Sequence, residues 1–123
     1  IELTGCDISS SQISKAKEYL DNINIRLKKI DGMNLPFEEK EFDLIITYGC
    51  LSAVRKNKIF QFYKNIKKIG RRAIFLEAYK PKNKSDHLYW HYHKYPKLFK
   101  KDLITYKEID KNKGDYIWEV NLG

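Results

Sequence analysis

A chain of 123 residues allows one modest hydrophobic core and little more. Its 42% hydrophobic content, with 14% aromatic residues, excludes an intrinsically disordered class, and no apolar run approaches the ~18 residues of a bilayer-crossing helix. The formal charge of +8 keeps nucleic acid open as a partner, although the lysines are spread along the chain and form no single block.

The chain opens on "IELTGC", a β-branched apolar stretch that predicts a buried strand ending at Asp7. Starting at Ile1, inside that strand, it also suggests that a segment precedes it, because domains usually begin with a few untethered residues. "SSSQISKAKEYLDN" predicts a helix: Ser9 and Gln12 form a capping-box pattern, and Ile13, Ala16, Tyr19 and Leu20 share one face. "INIRLKKI" reads as a second strand, followed by a loop from Asp31 to Glu41 that contains Pro36. "FDLIITYGC" is the strongest strand signal, and its unbroken apolar run predicts burial on both faces.

"KNKIFQFYKNIKKIG" predicts an amphipathic helix with Ile59, Phe62, Tyr63, Ile66 and Ile69 on its apolar side and Gly70 as its C-terminal cap. "RRAIFLEAY" is a further buried strand. Residues 80–101 are crowded with Lys, His and aromatics and read as irregular. "LITYKEIDKNKGDYIWEV" predicts two strands around a KNKG turn. Cys6 and Cys50, the only cysteines, each lie in or beside an apolar stretch. Two cysteines make no disulfide framework, so buried free thiols are expected. With no signal-peptide layout, the expected compartment is the cytoplasm.

The order β-α-β, β-α-β, irregular segment, β-β argues for an α/β protein with a parallel sheet and an antiparallel terminal hairpin. Ligands of open α/β sheets bind beyond the carboxyl ends of the strands, which directs attention to Asp7, Asp31, Tyr48 with Gly49, and Glu77 to Tyr79. A carboxylate at Asp7 can accept both hydroxyls of a ribose, or simply form a turn before the helix. Asp31 can accept from an exocyclic amine beside the small Gly32, or bond its own loop backbone.

Three stretches recur here in a fixed order and spacing: Gly5-Cys6-Asp7-Ile8-Ser9 before a helix, Asp31-Gly32-Met33-Asn34-Leu35-Pro36-Phe37, and Phe42-Asp43-Leu44-Ile45-Ile46 opening a hydrophobic strand. Together they resemble the class I S-adenosylmethionine-dependent methyltransferases, in particular the methyltransferase-domain families that act on small molecules. The resemblance covers residues 1–79, and the terminal hairpin suits the family's last two strands. It implies a Rossmann-like fold, mostly parallel with a C-terminal antiparallel hairpin. It also implies a single partial domain: 1–79 for the cofactor, 80–101 as a cover over the substrate, and 102–123 as the hairpin. S-adenosylmethionine would be the cofactor and a small molecule the acceptor. Asp7 would bind its ribose with Ile8 against the adenine. Asp31 and the Gly32 or Met33 amide would hold the adenine edge, and Tyr48 and Gly49 would lie near the methionine portion and the methyl.

The chain departs from the family in three places. The Gly-rich turn E/D-x-G-x-G after the family's first strand is absent, which suggests a C-terminal portion, inactive alone. In the family order 3-2-1-4-5-7-6, lack of that strand would split the sheet into a 3-2 piece and a 4-5-7-6 piece, or pair strands 2 and 4 directly. In "YGCLSAV", Ser52 and Ala53 stand where many members have His, and no Asp/Asn-Pro-Pro-Tyr follows, which disfavours a DNA-base amine as acceptor. Residues 80–101 match no family pattern; His87 and His91 would share a helical face, but the ligand set for a metal is incomplete and no metal is expected. Tyr48, His87, His91 and His93 are the groups able to act as a base, with none assigned as catalytic. The alternatives are an RNA-binding protein or RNA methyltransferase using the basic aromatic segment, and a nicotinamide-dependent Rossmann enzyme, against which the LPF loop argues.

Overall fold

The computed structural model describes residues 1–79 and 90–123, which form two compact units, Ile1–Pro36 and Phe37–Gly123. In the first unit, β1 (Leu3–Asp7) and β2 (Ile25–Lys29) pair in parallel, from Leu3 opposite Ile25 to Asp7 opposite Lys29. Between them runs α1 (Ser10–Tyr19), capped by Ser9, whose Oγ accepts from the Gln12 N–H at 3.4 Å. The reciprocal half of the capping box is replaced: the Ser9 N–H donates to Asp7 Oδ1 at 2.8 Å. Of the four apolar positions predicted for α1, Ile13 alone is buried, and Tyr19 is 84% exposed. A ten-residue helix lying on a two-stranded ribbon covers one narrow stripe of itself.

The second unit contains β3 (Phe42–Tyr48), a 3-10 turn at Leu51–Ala53, α2 (Ile59–Ile69) and β4 (Gly70–Ala78). After the undescribed residues come α3 (Tyr95–Phe99), a 3-10 turn at Lys100–Asp102, β5 (Leu103–Asp110) and β6 (Asp115–Asn121). Its sheet has the order β3-β4-β6-β5, with β3 parallel to β4 and β6 antiparallel to both of its neighbours. The predicted hairpin is present, its turn closed by Gly114 at φ 69 and by Asp110 Oδ1, which accepts from Asn112 and Lys113. Two separate sheets, β1-β2 and β3-β4-β6-β5, correspond to the 3-2 and 4-5-7-6 pieces of the family order.

The α2 pattern was fully legible: Ile59, Phe62, Tyr63, Ile66 and Ile69 are its buried residues. They face a core of Phe75, Tyr95, Phe99 and Trp118, in which Phe75 and Phe99 stack at 5.2 Å between centroids. Gly70 caps α2 as expected but for another reason. Its backbone is extended (φ −122), and a Cβ there would lie 2.4 Å from Ile45 Cδ1, so close approach selects glycine. Lys40 neutralises that helix end, its Nζ donating to the carbonyls of Lys67 (2.7 Å), Gly70 (2.9 Å) and Leu122 (3.1 Å).

Three expectations of burial fail. β1, read as a buried strand, contains no buried residue and leaves Leu3 45% exposed, because a two-stranded sheet offers little to cover it. β3 is not buried on both faces: Leu44, Ile46 and Tyr48 are exposed, Ile46 by 63%. It is an edge strand of its sheet, and these three alternate onto one face while Ile45 packs toward Gly70. Nor are the thiols buried, since Cys6 and Cys50 are both exposed and unlinked. Residues 90–101, read as irregular, include the short helix α3 with Pro96 in its first turn. The rest of the 80–101 segment falls outside the described residues.

Candidate cofactor site

In the first unit the parallel pairing places the ends of β1 and β2 side by side. The Ile30 N–H donates to the Asp7 carbonyl at 2.9 Å, so Asp31 follows directly on the residue that closes the ladder. Each carboxylate also makes a local turn. Asp7 Oδ1 accepts from Ser9, and Asp31 Oδ1 accepts from the Met33 N–H at 2.9 Å while its carbonyl accepts from Asn34. The turn reading and the ligand reading are therefore compatible. A turn fixes the orientation of the carboxylate through one oxygen, and neither second oxygen has a hydrogen-bond partner among the described residues. Both acids are exposed, and Ile8, 63% exposed, puts an apolar surface beside Asp7. Thus Asp7, Ile8, Asp31, Gly32 and Met33 meet at one end of one strand pair. The Met33 amide is already engaged by Asp31.

Tyr48 and Gly49 belong to the second unit, at the carboxyl end of β3. Gly49 has φ +63, and its N–H donates to the Leu76 carbonyl at 2.9 Å. A hollow of about 100 Å³ there has Tyr48, Gly49, Leu76, Trp90 and Asp115 among its walls. A side chain at position 49 would start 3.7 Å from the Trp90 ring.

The loop that continues from Gly49 is organised by Glu77, which the sequence marked only by its place at a strand end. It is 1% exposed. Its Oε1 accepts from Thr47 Oγ1 (3.1 Å), Cys50 N (2.9 Å) and Leu51 N (3.0 Å). Its Oε2 accepts from Ser52 N (3.3 Å) and Ser52 Oγ (2.9 Å). Burial holds this carboxyl above its ordinary value, and the donors from Leu51, Ser52 and Thr47 offset that rise only in part. The available signal was a lone acid closing the apolar run "RRAIFLEAY", because a buried carboxylate must find donors.

His93 serves the same loop. Its Nε2 lies 2.9 Å from the Leu51 carbonyl and 2.8 Å from that of Val54, so this nitrogen carries the proton and donates. Buried and facing two acceptors, His93 is a structural donor in place of the free base allowed by its residue type. His91 lies outside any helix, and its N–H donates to the Ser52 carbonyl at 2.8 Å. His87 falls outside the described residues. Among the described residues no three His, Cys, Asp or Glu side chains are grouped to hold a metal.

Comparison with known proteins shows the family. The family model described as "Methyltransferase domain" matches residues 1–72. The chain belongs to the methyltransferase domain family. This methyltransferase is thus of the class I S-adenosylmethionine-dependent type that its ordered motifs resemble, and S-adenosylmethionine is the cofactor of that class. Among solved structures, the PH0226 protein of Pyrococcus horikoshii is similar at 19% identity and TM-score 0.80, over 98% of this chain and 71% of that one. A SAM-dependent methyltransferase of Methanosarcina mazei is similar at 14% identity and TM-score 0.77, over 98% and 81%. The 1,6-didemethyltoxoflavin-N1-methyltransferase of Burkholderia thailandensis, solved with bound 1,6-didemethyltoxoflavin and S-adenosylhomocysteine, is similar at 12% identity and TM-score 0.73, over 96% and 60%. No protein of curated function matches the sequence. At these identities the structural likenesses speak for the Rossmann-like fold.

Proposed function

We propose that this methyltransferase chain contributes the adenosine-binding part of a site for methyl transfer to a small-molecule acceptor. The carrying observation is the placement of Asp7, the last residue of β1, and Asp31, two residues beyond β2, at neighbouring ends of parallel strands, each held by its own turn. Asp7 accepts the ribose hydroxyls with Ile8 against the ring, and Asp31, with the Gly32 backbone, holds the adenine edge, the Met33 amide being taken by the Asp31 turn. Tyr48 and Gly49 serve the methionine portion and the methyl. Bound S-adenosylmethionine supplies an electrophilic methyl on a sulfonium, whose transfer is an in-line displacement. The chain's task is alignment, which is worth up to ~7–11 kcal/mol in favourable cases. The lack of an Asp/Asn-Pro-Pro-Tyr sequence after β3 speaks against a DNA-base amine as the acceptor.

The same reading expects weak cofactor binding by these 123 residues alone, since no E/D-x-G-x-G turn is among them to hold the amino-acid end. An NMR titration with S-adenosylhomocysteine reads such weak binding directly. Amides of residues 7–9 and 31–33 should shift, and Asp31→Ala should weaken binding about tenfold, the loss of one charge-assisted hydrogen bond. Unchanged affinity in Asp31→Ala would return Asp31 to the role of a turn residue.

A further inference from the structure

The loop after β3 is gripped from two directions by residues distant in sequence. Glu77, on β4, collects the N–H groups of Cys50, Leu51 and Ser52. His93, from the segment before α3, donates to the carbonyls of Leu51 and Val54. One acid therefore satisfies the donors of a tight turn, and one imidazole satisfies its acceptors. A 3-10 turn of three residues has too few internal bonds to hold its own shape. The grip extends to the site: Thr47, two residues before Gly49, donates to the same Glu77 oxygen, and the Gly49 N–H is fixed to Leu76, next to Glu77. The His93 segment also supplies the His91 N–H to Ser52 and the Trp90 ring beside Gly49.

From this geometry we infer that Glu77 and His93 are positioning residues, a two-sided clamp that sets the course of residues 49–54 and hence the placement of Tyr48 and Gly49. The inference rests on the proposed role of Tyr48 and Gly49 at the methionine end of the cofactor. Both clamp residues are buried and spent on the loop backbone, so their effect on a ligand passes through the loop they hold. Glu77 has a second consequence. A carboxylate accepts all five donors, whereas the carboxamide of Gln presents its own N–H₂ to one pair of them. The hydroxyl of Ser52 can rotate to accept from that group, but the Ser52 N–H cannot.

Glu77→Gln is therefore a mild probe, expected to release the Ser52 amide while leaving the sheet intact. His93→Phe keeps a ring of similar size without its donor, and His93→Gln returns an N–H. Amide hydrogen exchange on the full chain, with S-adenosylhomocysteine titration in parallel, tests the clamp. The Ser52 amide in Glu77→Gln, and the amides of residues 50–52 in His93→Phe, should exchange about tenfold faster, while those of Phe75 and Trp118 keep wild-type protection. S-adenosylhomocysteine affinity should fall several-fold in both variants and recover in His93→Gln. Unchanged exchange at residues 50–52 overturns the clamp. Faster exchange there with unchanged affinity overturns the positioning role. Loss of protection at Phe75 and Trp118 in His93→Phe as well as Glu77→Gln would make both residues plain supports of the fold, overturning it too. A wild-type chain that binds no S-adenosylhomocysteine strikes at the proposed function instead, and exchange at residues 50–52 still decides the clamp.

Discussion

Asp7 and Asp31 lie in the small first unit, exposed and each tied to its own turn. Glu77, in the larger second unit, is sealed from solvent and answered by five donors. All three acids follow the same placement rule at the carboxyl ends of strands, yet they do opposite work. An exposed carboxylate whose turn occupies one oxygen retains capacity to accept from a ligand. A buried one spends its capacity inward and shapes the backbone that meets the ligand. The units differ in the same sense. The first buries Ile13 and little else, whereas the second is built around Phe75, Tyr95, Phe99 and Trp118.

The contrast in packing can be broken by mutation. Trp118→Ala removes the largest fully buried side chain, one that touches Tyr79, Tyr95, Phe99 and Tyr106. It should cost about 3–5 kcal/mol by urea denaturation. Ile13→Ala, with exposed neighbours on its helix, should cost about 2 kcal/mol, the lower end for such truncations. Equal losses at the two sites would erase the distinction between the units.

A smaller effect comes from pH. Burial raises the Asp102 carboxyl, but hydrogen bonds from Lys67 (2.7 Å) and Tyr63 (2.9 Å) outweigh it and hold the group below its ordinary value. The stabilisation is therefore present above the ordinary carboxylate pKa of ~3.9 and is lost as pH falls through the lowered value. Lys67 is more than a third exposed, so screening should keep the effect under about 1 kcal/mol. Melting curves from pH 3 to 7 should show Asp102→Asn with a flatter acid limb than the wild type, and parallel limbs would leave Asp102 without this role.

Where the chemistry is local, the sequence was readable. Ser9, Asp7 and Asp31 act on residues two or three positions away, and the five buried residues of α2 follow from helical spacing alone. The parallel strand pairs and the terminal hairpin were also legible, and the splitting of the strands into two sheets was one of the two arrangements the family order allowed. What escaped depends on partners far along the chain. Glu77 bonds residues 25 to 30 positions earlier, and His93 reaches back 39 and 42. No periodicity encodes such a match. The apolar run of β3 misled because composition reports how much hydrophobic surface a strand carries, while exposure depends on which neighbours cover it.

Lys40 ties an early residue to a late one. Its ammonium group needs the Lys67 and Gly70 carbonyls and also that of Leu122, 82 residues downstream. β4 is likewise flanked by β3 before it and by β6 after it. At ~5–20 residues per second, ribosomal synthesis leaves about 4–16 seconds between Lys40 and its last partner. Between the end of β4 at Ala78 and the end of β6 at Asn121, about 2–9 seconds at that rate, one side of β4 is an open edge and the helix end is only partly neutralised. The sheet of the second unit is complete only once its C-terminal hairpin has been made, and until then that edge is open to pairing with a neighbour.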